Sequence, residues 1–161
     1  MSKPQQFCTF VLDDHLFGLN VRHVQEVTQQ QRMTRVPLAP TMIRGLINLR
    51  GQIVTAIDLR ECLGLPPLPN DLVSANVIVR SGEDTMSFLV DSAGDVLEVD
   101  SADYEQPPET LRGVAVDLIR GTYKLKDRLL LVLDMQQIIE RALTVPQEAA
   151  NSDEQDSSAG G

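Results

Sequence analysis

The sequence predicts a mainly β protein: two small barrels side by side, a groove between them, short helical turns, and a C-terminal helix. Three observations carry this. Apolar runs of about four to seven residues recur between tight-turn residues, as strands do. Arg44-Gly-Leu-Ile-Asn-Leu-Arg-Gly-Gln-Ile-Val-Thr-Ala-Ile-Asp58 is repeated in outline seventy-six positions later, without gaps. Arg44 falls on Arg120, Gly45 on Gly121, Leu49 on Leu125, Arg50 on Lys126, Ile57 on Leu133 and Asp58 on Asp134. A single repeat implies a duplicated unit, since a solenoid needs three or more. Short strands joined by tight turns avoid exposed edges by closing on themselves, hence barrels.

In chain order, residues 1–6 are polar and read as a mobile N-terminus. Phe7–Leu12 and Leu16–Leu19 alternate around Asp13-Asp14-His15, a first hairpin. Asn20 is placed to cap a helical turn through Val21, Val24 and Val27, and the same residues allow a strand at Gln25–Thr28. Pro40 is placed as the first residue of a helical turn ending near Gly45. Leu46–Leu49 and Ile53–Ile57 then form the central hairpin, with Arg50-Gly51 at its tip. Asp58-Leu-Arg-Glu61 is a helix-start signal, and Leu59, Cys62 and Leu63 share the apolar face up to Gly64.

Leu65-Pro-Pro-Leu-Pro-Asn-Asp71 reads as a stiff linker between nominal subdomains at about 7–66 and 75–134. Asn76–Arg80 and Thr85–Val90 flank another turn, and Phe88-Leu-Val-Asp91 echoes Phe17-Gly-Leu-Asn20. After the second central hairpin comes Asp134-Met-Gln-Gln137, again a capping box. Met135, Ile138, Ile139, Ala142 and Leu143 mark a helix face over 135–143. Residues 144–161 are polar and acidic and read as a disordered tail.

The totals narrow the function. A formal charge of −9 opposes binding to nucleic acid or anionic lipid. Scarce aromatics and no Trp oppose the remote alternative of an oligonucleotide-binding barrel. No apolar run reaches the roughly 20 residues of a spanning helix, so direct membrane insertion is not expected. The N-terminus lacks signal-peptide regions, and the two isolated cysteines fit a reduced cytoplasm.

Catalytic constellations are missing as well. His15 and His23 show no metal-ligand spacing, and Cys8 and Cys62 lie on apolar faces with no adjacent base. Asp91, Asp95 and Glu98 lack the spacing of a calcium loop. Lone glycines in Leu111-Arg-Gly-Val and Ile119-Arg-Gly-Thr fit turns or bulges. No enzyme activity, cofactor or metal is expected. Arg50 stands out: at a strand end it either binds a carboxylate of another chain, pairs within its own sheet with Glu26, or is solvated.

Gly-Leu-Ile-Asn-Leu-Arg-Gly, the Ile-Val-Thr-Ala-Ile-Asp-Leu-Arg that follows, and the early Phe-Gly-Leu…Val24-Gln-Glu-Val resemble the CheW-type chemotaxis coupling proteins. So do Val36-Pro…Ala39-Pro, Phe88-Leu-Val-Asp-Ser…Val96-Leu-Glu-Val and Gly121…Leu133-Asp134. The resemblance runs from about Phe7 to Leu143. It implies two five-stranded, SH3/OB-like barrel subdomains that exchange strands, with an intervening groove. It also implies a non-catalytic cytoplasmic adaptor, recruited to membrane receptor arrays. There it would link the cytoplasmic tip of methyl-accepting chemotaxis receptors to the regulatory domain of the histidine kinase CheA, in rings with the kinase or with itself. By position, Val24, Glu26, Gly45 and Arg50 fall on receptor-coupling or signalling positions. Leu89 and Val90 are placed to line the groove from its other side. Kinase-contact residues do not transfer. An adaptor of a pilus or developmental pathway is the alternative, and the tail and linker carry no implied role.

Overall fold

The computed structural model describes residues 4–67, 75–107 and 115–144. Twelve strands and two helices occur among them. The first half holds β1 (Gln5–Leu12), β2 (His15–Asn20), β3 (Val24–Gln29), β4 (Met33–Thr34), β5 (Ile43–Leu49), β6 (Gln52–Asp58) and α1 (Leu59–Leu63). The second half holds β7 (Ala75–Ser81), β8 (Asp84–Val90), β9 (Ser92–Val99), β10 (Tyr104–Glu105), β11 (Ile119–Lys124), β12 (Leu129–Leu133) and α2 (Met135–Leu143). Residues 68–71 of the expected linker, the glycine of Leu111-Arg-Gly-Val and the acidic tail from Pro146 lie outside the described residues.

The tight turns follow from local chemistry. Asp13 and Asp14 (φ 50° and 70°) close the β1–β2 hairpin, and Arg50 and Gly51 (φ 52° and 87°) close β5–β6. Two consecutive positive φ values give the turn whose twist matches that of paired strands. Asn48 Oδ1 accepts from the Gly51 N–H at 2.8 Å, which helps hold Arg50 in its left-handed conformation. The helical turn expected after Pro40 does not form. Instead one turn bond, from the Ile43 N–H to the Pro40 carbonyl at 2.9 Å, leads straight into β5. Gly45 already belongs to the paired strand, so the sheet has claimed the residues a helical turn would need.

One sheet has the order β10-β11-β12-β2-β1-β9 and the other β4-β5-β6-β8-β7-β3. Each strand in the first order stands opposite its repeat in the second. The linear halves therefore do not coincide with the sheets: β1 and β2 join four strands of the second half, and β7 and β8 join four of the first. Five strands of each sheet are five residues or longer, and the sixth, β4 or β10, is a two-residue edge. Two parallel ladders join the halves. Thr55–Asp58 of β6 lie beside Met86–Leu89 of β8, and Leu130–Val132 of β12 lie beside Leu16–Gly18 of β2.

The repeat extends to irregularities. Register shifts fall between Ile43 and Gly45 and between Ile119 and Gly121, at matching positions. The Asp58 N–H donates to the Met42 carbonyl at 2.8 Å, and the Asp134 N–H to the Leu118 carbonyl at 2.9 Å, again seventy-six residues apart. Each helix starts on its strand-end aspartate. Asp58 Oδ1 accepts from the Glu61 N–H at 3.2 Å and Asp134 Oδ1 from the Gln137 N–H at 3.1 Å. Gly64, at φ 76°, ends α1.

Three apolar cores result. Phe7, Leu130 and Tyr123 belong to the first barrel, and Ile47, Val54 and Ile78 to the second. A larger shared core draws Phe10 and Phe17 from one sheet, Ile57 and Phe88 from the other, Leu59 and Leu63 from α1, and Ile138 from α2. The barrels are thus fused along buried apolar surface, at roughly 25 cal/mol for each Å² removed from water.

Two equivalent glycines make a graded test. A Cβ on Gly45 would sit 2.6 Å from the Thr34 carbonyl oxygen, whereas one on Gly121 would meet the ring of the half-exposed Tyr104. Backbone cannot yield where an exposed ring swings aside. Gly45→Ala is expected to lower stability by about 1–3 kcal/mol and Gly121→Ala by clearly less, measured as shifts of the urea midpoint.

Candidate functional site

The first feature is an exposed ion pair. Strand β3 edges the second sheet, and a register shift between Val24 and Glu26 leaves Gln25 without a partner on β7. Glu26 faces the β5–β6 hairpin tip, where Arg50 Nη1 donates to Glu26 Oε1 at 3.1 Å and Nη2 donates to Oε2. In sheet order β7 and β8 lie between β3 and β6, a flat separation of about 14 Å. The pair therefore closes a seam of a curled sheet. Hydrogen bonding from Arg50 holds the Glu26 carboxyl below its usual value. The Arg50 side chain remains two-thirds exposed, so the pair orients a surface more than it stabilises the fold.

Structure places the other expected site residues as follows. Val24 is half-buried against the shared core. Gly45 lies inside the second sheet against Thr34 of β4. Leu89 is interior to the second barrel, near Ile47 and Val54, and Val90 is fully buried in the shared core. Only Glu26 and Arg50 of the set are joined by a direct bond.

A second feature escaped sequence reasoning. Arg60 of α1 is buried, and its Nε and Nη2 donate to Asp91 Oδ1 and Oδ2 at 2.9 and 2.6 Å. Nη1 donates to the Pro66 carbonyl at 2.5 Å, and Asp13 Oδ1 lies 3.9 Å from Nη2. Asp91 also accepts from the Asp13 N–H at 2.9 Å and donates its own N–H to Val11 at 3.2 Å. This network pins three places: the helix after β6, the residue where the chain passes from β8 to β9, and the β1–β2 turn of the opposite sheet. Its signal was faint, because the repeat aligns Arg60 with Gln136, which carries no charge.

Third is a cleft of about 1070 Å³ at the pseudo-symmetric counterpart of the Arg60–Asp91 seam between the sheets. The 3-10 turn Val21–His23, the β7–β8 turn, the edge strand β10, the start of β11 and the first turn of α2 border it. Tyr104 and Tyr123 make an edge-to-face contact at 5.5 Å in its wall.

Among the described residues neither cysteine is a poised thiolate. Burial pushes the Cys62 thiol up to about 12 and also raises Cys8. Among the described residues no group of three or more His, Cys, Asp or Glu side chains could hold a metal, and no helix is long and apolar enough to cross a membrane.

Fused barrels with an ion-paired edge and an open cleft present two surfaces suited to recognition. The CheW-like domain model matches residues 6–143, and the chain belongs to that family. It is 28% identical to the chemotaxis protein CheW of Klebsiella aerogenes over 135 residues, 84% of this chain and 81% of that protein. It is also 28% identical to chemotaxis protein CheW of Bacillus subtilis, over 85% of this chain and 88% of the relative. The crystal structure of scaffolding protein TtCheW from Thermoanaerobacter tengcongensis superposes with a TM-score of 0.74 at 28% identity. That match covers 82% of this chain and 90% of the other. The protein is therefore a non-catalytic scaffold of the CheW type, with the predicted mainly β, two-barrel fold.

Burial pushes the Asp91 carboxyl up, but the Arg60 and Asp13 hydrogen bonds outweigh it and leave it below its usual value. A lowered folded value contributes stability above the unfolded value near 3.9, lost as pH falls further. Asp91→Asn should reduce the slope of stability against pH below about pH 4, and Asp91→Ala should cost roughly 3–5 kcal/mol by stranding Arg60. Denaturation at several pH values checks both. In a thiol-reagent assay on the native protein near pH 8, Cys62 should stay unlabelled while both cysteines label in denaturant.

Proposed function

We propose that this protein couples chemoreceptors to a chemotaxis histidine kinase, holding the kinase regulatory domain beside the receptor's cytoplasmic tip. The observation that carries this reading is the Glu26–Arg50 pair, set on an exposed edge of a chain whose residues 6–143 match the CheW-like domain. The named relatives are chemotaxis proteins, and the solved neighbour is a scaffolding protein.

Physical chemistry supports the assignment of roles. Edge strands β3 and β9 carry exposed Val27 and Val96, apolar surface available to a helical partner. The ion pair next to Val27 supplies charge and orientation: Glu26 fixes the Arg50 guanidinium while the Arg50 side chain stays largely open to solvent. In this reading Val24, Glu26 and Arg50 form the signalling face. Gly45 sets the curvature of the strand that presents Arg50, and Leu89 and Val90 support the site from within. The protein acts in the cytoplasm, recruited to receptor arrays at the membrane, where coupling passes as a shift between two packings.

In a reconstituted mixture of receptor membranes, kinase and this protein, Arg50→Glu should keep the fold but remove receptor-dependent kinase activation. The double variant Glu26→Arg, Arg50→Glu should recover part of it if pairing is what matters. Full activation by Arg50→Glu alone would contradict the role given to this face.

A further inference from the structure

The pseudo-symmetric seams differ, and the difference makes a site. At one seam Arg44 Nη1 donates to Asp58 Oδ2 at 3.1 Å, and Arg60 is pinned to Asp91 beside Asp13. The counterparts by repeat are Arg120 for Arg44, Asp134 for Asp58, Gln136 for Arg60 and Asn20 for Asp91. The Gly82-Glu83 turn stands for the Asp13-Asp14 turn. All of these positions except Glu83 line the 1070 Å³ cleft. The arginine that fills the first seam is a glutamine here, so the space stays open.

Charge in the cleft is also unmatched. Arg22, Arg80 and Arg120 line it, are exposed, and have no ion-pair partner among the described residues. Two carboxylates line the cleft against these three guanidinium groups, Asp134, whose Oδ1 caps α2, and Glu98, so positive charge is in excess there. Three guanidinium groups around a recess, in a chain of net charge −9, make a local anion-attracting field. Tyr104 and Tyr123 add an apolar wall.

We propose that this cleft receives the chain's own acidic segment, residues 145–161. That segment carries Glu148, Asp153, Glu154 and Asp156 and no Lys or Arg. Geometry permits it. The first turn of α2 lines the cleft and the nine-residue helix is about 13 Å long. Seventeen further residues reach as far as about 56 Å when extended. Tethering raises the effective concentration of the segment to the mM range, so weak charge pairing suffices for occupancy at low salt. An external acidic segment of higher affinity displaces it, and the tail thereby acts as a competitor that sets a threshold for cleft binding.

The test uses the full chain, isotope-labelled, beside a full-length variant with Glu148→Gln, Asp153→Asn, Glu154→Gln and Asp156→Asn. Amide spectra are recorded at low salt and at about 1 M, where the Debye length is about 3 Å. Expected are shift differences concentrated at Arg22, Arg80, Arg120 and their neighbours, lost at high salt and unchanged on dilution. Charge neutralisation of the tail should have no such effect in a background of Arg22→Gln, Arg80→Gln and Arg120→Gln. Absent differences, differences centred elsewhere or persisting at 1 M salt, or a concentration dependence that signals a second copy would each overturn the proposal.

Discussion

The architecture depends on two parallel ladders that only the opposite half of the chain can complete. A hairpin joins antiparallel neighbours through a two-residue turn, but parallel neighbours need a long crossover. Here β6 finds its parallel partner in β8, and β12 finds its partner in β2. Each duplicated unit therefore lends its first two strands to the barrel built mainly by the other. Neither half owns a complete sheet, so neither has a closed barrel without its counterpart. The shared core follows directly, since the exchanged strands bring Phe10, Phe17 and Phe88 into one cluster.

Duplication supplies the frame, and departures from it make its surfaces differ. Bulges, turn bonds and helix caps recur at equivalent positions because the backbone geometry needs them twice. Among the described residues the ion pairs do not recur. Arg50 is answered by Lys126 in the repeat, but Glu26 holds Arg50 alone among the described ion pairs. Arg60 is answered by a glutamine, which leaves one seam pinned and the other open. Such asymmetry makes the two faces chemically distinct although the frame beneath them is duplicated.

Much of this was legible in the sequence, and the limits have physical causes. Turn chemistry and apolar runs placed the hairpins, with Asp13-Asp14 and Arg50-Gly51 at their tips, because local backbone preferences decide them. Aspartate caps and apolar spacing placed α2 for the same reason. The Glu26–Arg50 pairing was reachable as one of several fates of a turn arginine. The segment after Pro40 was misread as helical because pairing with β4 and β6 is a tertiary effect that proline chemistry does not report. Arg60, Asp91 and Asp13 were invisible as a set: they are far apart in sequence and meet only once the strands exchange. Leu89 and Val90 read as groove-facing by analogy, whereas they point to opposite faces of β8, Leu89 into the second barrel's core and Val90 into the shared core.

Native-state hydrogen exchange tests the central claim most directly. If strand exchange makes one cooperative body, the slowest amides of both parallel ladders should exchange with a common free energy equal to that of global unfolding. Protection in one sheet lost at a distinctly lower free energy than in the other would mean that the barrels open independently, and would contradict this account.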